Sequence, residues 1–185
     1  MAIKTFTTGE VLTASDTNTY LANAGLVYVA GGSFAGAGTV DITGFVSTFD
    51  YYRIVWRAQR VDSGGSSILT AQLYNGATVR NTAYYASAFF ASYLATTGVP
   101  YVSNNAANFT FSIADSGALN VCTYDIRGMT SGNAVITGNF WDTGAARNYM
   151  SGAFHNVSET NDKLRITSGT GTITGNWRLY GYREP

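Results

Sequence analysis

The sequence has almost nothing with which to do covalent or metal chemistry. It contains one cysteine and one histidine in 185 residues. A single Cys122 excludes an internal disulfide, so the fold must stand on packing alone. A single His155, with no H-x-x-x-H or C-x-x-C spacing around it, gives no metal-ligand signature. Charge is also scarce. Charged residues are 12% of the chain, against about 25% in an average globular protein. Formal net charge is zero and no basic stripe runs along the chain, so binding of nucleic acid by phosphate neutralisation is not expected. No apolar run is long enough for a signal peptide or a membrane span. Synthesis in a cytoplasm with later assembly suits both the free cysteine and the missing leader.

Aromatic residues, at 14%, and 21 glycines are what the chain does have. Low charge with many aromatics is not the disorder signature. It suits a sheet protein with much of its surface in contacts, and the length fits one domain with a real core.

Residues 5–12 read as an extended arm. Thr13-Ala14-Ser15-Asp16 fits a capping box, and Ala14 to Ala24 places Tyr20, Leu21 and Ala24 on one side of a short helix. Gly25 stands where a left-handed C-terminal residue belongs. A helix of about three turns is marginal alone and must dock on something. It either covers an end of its own sheet or serves as an anchor or trimerisation element. Residues 1–30 are therefore set apart as arm and helix, with Phe6, Val11, Leu12, Tyr20 and Leu21 as candidate anchor residues. Residues 31–185 form the body. Leu26 to Val29 reads as a short strand, and the Gly/Ala/Ser stretch Gly31 to Gly38 as a hinge loop. That stretch lacks the spacing of a nucleotide-binding loop, and no cofactor is expected.

Beyond it the pattern alternates. Val40 and Ile42 share a parity. So do Tyr52, Ile54, Trp56 and Ala58, then Leu69, Ala71 and Leu73, then Phe109, Phe111 and Ile113, then Cys122, Tyr124 and Ile126. Asn75-Gly76 is a strong hairpin signal, with Thr78 to Arg80 as the return. Strands at such intervals argue for an all-β, antiparallel β-sandwich of jelly-roll type, preceded by the arm and helix. Tyr84 to Leu94 is apolar on both parities and fits a fully buried strand, a helix-like insertion or an aromatic loop. Thr96 to Asn108 reads as a long loop. Tyr84, Tyr85, Phe89, Phe90, Tyr93 and Tyr101 are the candidate surface-binding aromatics, set against core packing as the alternative. The closing segment, Leu164 to Ile166 and then Ile173, Gly175, Trp177, Leu179 and Gly181 around the turn residues Ser168 to Gly171, reads as a hairpin. Its last strand is expected inside a sheet, with Trp177 in the core.

Two stretches resemble known proteins. Gly152-Ala153-Phe154-His155-Asn156, followed by Ser168-Gly169-Thr170-Gly171-Thr172-Ile173-Thr174-Gly175-Asn176-Trp177-Arg178-Leu179-Tyr180-Gly181-Tyr182-Arg183, is similar to the C-terminal end of a group of β-rich tailed-phage virion proteins. These occur as fibre tips, tail-associated proteins and head appendages. The opening, Thr5 to Asp16 and on to Tyr20-Leu21, is similar to the N-terminus of many phage tail-associated proteins. The resemblance implies a virion structural protein, a homotrimeric tail-fibre or tail-associated appendage facing the host receptor. Its partners would be its sister subunits, other virion proteins and a host-surface glycan or protein. A capsid-decoration or head-fibre protein, a carbohydrate-binding β-sandwich and a tailspike hydrolase remain alternatives. For the hydrolase the acid and its partner would come from Asp115, Asp125, Asp142, Glu159 and Asp162. Their Ser, Gly, Asn and Thr surroundings read as turns, and Asp125 fits a cross-strand pair with an arginine. Catalysis, metal binding and membrane insertion are not expected.

Overall fold

The computed structural model describes residues 7–11, 13, 25–62, 64–65, 67–92, 99–114, 116–143 and 147–182, and all side chains of these except those of 90–92, 99–101, 103, 142 and 147. Every regular element among them is a strand. In chain order they are β1 (Leu26–Ala37), β2 (Thr39–Thr43), β3 (Tyr51–Arg60), β4 (Ser67–Asn75), β5 (Thr78–Val79), β6 (Tyr84–Ser92) and β7 (Val99–Ala106). Then come β8 (Phe109–Ala114), β9 (Asn120–Arg127), β10 (Val135–Asp142), β11 (Arg147–His155), β12 (Lys163–Ser168) and β13 (Ile173–Tyr182).

They form two antiparallel sheets. The larger has eight strands in the order β1-β13-β3-β9-β10-β11-β6-β7. The smaller has five, in the order β2-β12-β4-β5, with β8 also paired to β4. Period-two alternation sends one set of side chains from each sheet into a shared core. Tyr52, Ile54, Trp56 and Ala58 of β3, Cys122, Tyr124 and Ile126 of β9, and Leu69, Ala71 and Leu73 of β4 are all buried, as their parity predicts. Aromatic contacts join the sheets. Phe111 of β8 meets Trp56 edge-on at 5.6 Å between centroids and stacks on Tyr124 at 4.5 Å. Tyr124 donates its hydroxyl to the Phe111 carbonyl, and Tyr84 accepts from the Leu73 amide at 2.7 Å. Buried hydroxyls of this kind need a partner, and the facing sheet supplies one.

Several sequence expectations are corrected. The closing segment is not a hairpin. β12 lies in the small sheet between β2 and β4, and β13 lies in the large sheet between β1 and β3. Ser168 to Gly171, with Gly171 at φ +69°, carries the chain from one sheet to the other. Alternation states which face is buried but not which neighbour a strand takes. Gly31 to Gly38 is not a hinge loop: through Ala37 it is the second half of β1, paired with β13. Leu26 to Ala30, grouped with the arm, belong to the same strand. A glycine-rich edge strand gains its backbone hydrogen bonds without a hydrophobic period to announce it. Thr96 to Asn108 contains β7 rather than one long loop.

In β8 the parity changes partway. Phe109 and Phe111 point inward, then Ser112 and Ala114 do, and Ile113 turns partly outward. A bulge shifts the register against β4 between Leu69 and Thr70, and a single extra residue flips every later side chain. The arm is not extended throughout, since Thr7 to Glu10 forms a turn closed by the Glu10 amide on the Thr7 carbonyl at 3.0 Å. Val11 is exposed. Phe6, Leu12, Tyr20, Leu21 and the expected helix over 14–24 lie outside the described residues.

Candidate functional site

The described candidates for catalysis each have structural contacts. His155 ends β11, buried beneath the Tyr84 ring at 4.8 Å between centroids. Its Nδ1 is 3.8 Å from Glu159 Oε1 and has no hydrogen-bond partner. Burial lowers the imidazole pKa, and the Glu159 charge opposes that shift. Glu159 is held by Arg80 at 2.8 Å. Asp125 receives two bonds from Arg53 across the β3–β9 pair, at 2.8 and 2.9 Å. That is the cross-strand arginine pair its parity suggests. Asp162 accepts from the Gly76 amide at 3.1 and 3.0 Å, fixing the Asn75-Gly76 turn. Asp115 and the Asp142 side chain lie outside the described residues. Cys122 is fully buried and its thiol is pushed up to about 12 by desolvation, which removes its nucleophilic form. Among the described residues, no three His, Cys, Asp or Glu side chains converge as a metal site.

The free surface chemistry lies instead on the outer face of the large sheet. Around β3, β9 and β13 it is cationic and aromatic: Arg127 lies over the Tyr51 ring at 4.3 Å, and Tyr51 meets Tyr182 edge-on at 5.1 Å. Across β10, β11 and β6 the character changes, and the registers build a trough. Thr137 pairs with Gly152, Gly152 with Ser87, and Ser87 with Val102 of β7. All four face outward, and three of them are small. One row to one side, Val135, Phe154 and Tyr85 are in register; one row to the other, Asn139, Met150 and Phe89. Two bulky rows therefore flank a row of small residues. Rows two residues apart along a strand are about 6.6 Å apart, so the walls stand roughly 13 Å from each other, backbone to backbone. The trough is open to solvent and has two lobes that share Ser87, Val102, Thr137 and Gly152. One is about 710 Å³ and carries Phe89, Asn139, Asn148 and Met150; the other is about 500 Å³ and carries Tyr85, Asn104 and Phe154.

The expected surface aromatics divide accordingly. Tyr84 is corrected: it is 1% exposed, on the inward parity of β6, with its hydroxyl pushed up to about 12 by burial. Tyr85 and Phe89 are on the opposite parity and exposed. Phe90 and Tyr101 lie in β6 and β7, but their side chains, like all of Tyr93, are outside the described set. Sequence reasoning did not find Val102, Met150, Thr137, Ser87 or Gly152. Their outward parity was readable, but the adjacency of β10, β11, β6 and β7 was not, because β6 joins β11 across more than fifty residues of chain.

No protein-family model matches this sequence, and no curated protein matches it. Among solved structures, a marine PL-14 alginate lyase from Aplysia kurodai is similar at 9% identity, over 83% of this chain and 82% of that one, with a TM-score of 0.33. A likeness that faint speaks for neither shared topology nor shared chemistry.

Proposed function

We propose that this protein is a structural component of a tailed-phage virion: a homotrimeric, non-catalytic tail-fibre or tail-associated appendage. Its body is a jelly-roll sandwich with the outer sheet face turned to the host receptor. The observation that carries the reading is the role of the residues that bear the phage resemblance. They are framework. Trp177 is packed in the core, and β13 sits between β1 and β3 inside the large sheet. A Cβ on Gly181 would come within 2.5 Å of the Phe49 ring, and one on Gly175 within 2.0 Å of the Arg57 carbonyl. These glycines are there so that strand and neighbour can touch. A motif spent on packing suits a shape-bearing part better than an enzyme. The jelly-roll reading rests on the way the chain alternates between sheets, from β1 to β2 to β3 to β4 and again from β11 to β12 to β13.

The test removes the arm. β1 begins at Leu26, so deleting residues 1–25 leaves every described strand intact. The truncated protein should remain folded and β-rich but no longer enter particles, and in wild-type lysates the full chain should fractionate with tails and weigh as a trimer. Normal incorporation of the truncation would sink the anchoring role. Recovery with heads would replace the tail appendage by a capsid decoration.

A further inference from the structure

We propose that the trough floored by Thr137, Gly152 and Ser87 binds an uncharged oligosaccharide chain. The proposal deepens the receptor-facing reading and rests on it for its biological setting, though not for its chemistry. Three features of the trough select the ligand.

The first is charge. Among the described residues, none lining either lobe is Asp, Glu, Lys or Arg. The floor ends at β9 against Asp125, opposite Thr137, and that carboxylate is already bonded by Arg53. An acidic polysaccharide or a phosphate would find no free cation among the described lining residues, and its desolvated charge would go uncompensated there.

The second is the mixture of surfaces. Phe89 is 50% exposed and Met150 67%, and they stand in register on one wall. The Tyr85 and Phe154 rings form the other. Flat apolar faces beside short hydroxyls and amides match a sugar ring, which has a C–H face and a hydroxyl edge. A second copy of this chain is a poorer fit. The side chains of Ser87, Thr137, Asn139 and Asn104 make no hydrogen bond to other described groups. A flat protein face laid on them would bury these donors and acceptors unpaired, at a cost for each. Sugar hydroxyls both donate and accept, so they satisfy the same groups.

The third is shape. The floor crosses four neighbouring strands, β10, β11, β6 and β7, which is roughly 14 Å at the usual strand spacing. Its Val102 end lies on β7, the last strand of the sheet. That geometry takes a chain lying across the strands rather than a single buried ring.

Gly152 makes the test clean. A Cβ there would have only ordinary contacts, at 3.6 Å to the Ile136 carbonyl and 3.8 Å to Thr137 Cγ2. Gly152→Val should therefore fold while filling the middle of the floor. The purified full chain would be titrated with uncharged gluco-, galacto-, manno- and N-acetylhexosamine oligosaccharides. Uronate-, sialate- and phosphate-bearing oligosaccharides form a second arm. We expect binding in the uncharged arm, and a loss of about tenfold or more in both Gly152→Val and Phe89→Ala, with native mass and melting temperature unchanged. Binding only in the anionic arm, no binding in either, or full affinity in the variants would each overturn the proposal. So would a fall in subunit number in Gly152→Val, which would make the face a subunit interface. If Gly152→Val failed to fold, unchanged affinity in Phe89→Ala would overturn it alone. Particle incorporation reads the virion role separately. A chain that enters virions and binds no uncharged saccharide loses this proposal and keeps that one, and the reverse result does the opposite.

Discussion

Two of the three tryptophans face the core and one faces out, so substituting one of each kind tests the assignment of faces. Trp177, in the middle of β13, is 7% exposed. It pairs with Trp56 on one side and with Gly32 on the other. A Cβ on Gly32 would lie 3.1 Å from the Trp177 indole nitrogen, so the ring already fills the space that Gly32 leaves. A tryptophan buries about 150–250 Å², worth roughly 4–6 kcal/mol at about 25 cal/mol per Å². A denatured chain that is already partly compact reduces that by roughly 10–40%. Trp177→Ala should then cost about 3–5 kcal/mol, the usual range for truncating a large buried aromatic. The upper half is favoured because a glycine on the adjacent strand has no side chain to move into the hole. In a domain of this size that is a fall of roughly 6–20 °C in melting temperature. Trp141, on the outward parity of β10, is 53% exposed, and Trp141→Ala should cost under about 1 kcal/mol. Urea unfolding followed by far-UV circular dichroism is the assay, since each substitution removes one of the three tryptophan fluorophores and so changes the emission signal itself. Subunit concentration must be held fixed because assembly adds to apparent stability. Equal losses in the two variants, or a loss below about 1 kcal/mol for Trp177→Ala, would mean that the strand faces are reversed.

Other consequences follow from single groups. Asp41 is held below the usual carboxylate range, chiefly by its hydrogen bonds from Arg165 and further by Lys163. A depressed carboxylate adds stability that is fully present above the unfolded value of 3.8 and is lost as pH falls through the folded one. Asp41→Asn should therefore flatten the acid limb of the stability curve below that pH, and an unchanged limb would rule the pair out as a contributor. Cys122, buried with its thiol near 12, should react with thiol reagents at pH 8 only through unfolding, so labelling at a free-thiol rate without denaturant would contradict its burial. A Cβ on Gly138 would lie 2.2 Å from the Thr123 carbonyl. Gly138→Ala should thus cost about 3 kcal/mol or more in a urea midpoint, whereas Gly152→Ala, with room to spare, should stay within about 1 kcal/mol.

What was legible in the sequence was local. Period two placed Ile54, Trp56, Cys122, Tyr124, Leu164 and Trp177 on buried faces, because that period is a property of the strand and holds wherever the strand docks. Asn75-Gly76 read as a turn because glycine readily takes the positive φ found at Gly76. The scarcity of charge and the lone histidine and cysteine set bounds on the chemistry before any fold was known. What the sequence left open was partnership between distant segments. β12 and β13 look like a hairpin, and only the packing of two sheets on one core separates them. β1 continues through glycines because β13 offers its backbone hydrogen bonds, and no side-chain pattern records that. The parity of β8 breaks at a bulge that only pairing with β4 reveals. The trough has the same origin. Gly152, Ser87 and Thr137 are unremarkable residues on three segments of chain. They become a floor between two apolar walls only when β10, β11 and β6 are laid in register, which long-range backbone pairing decides.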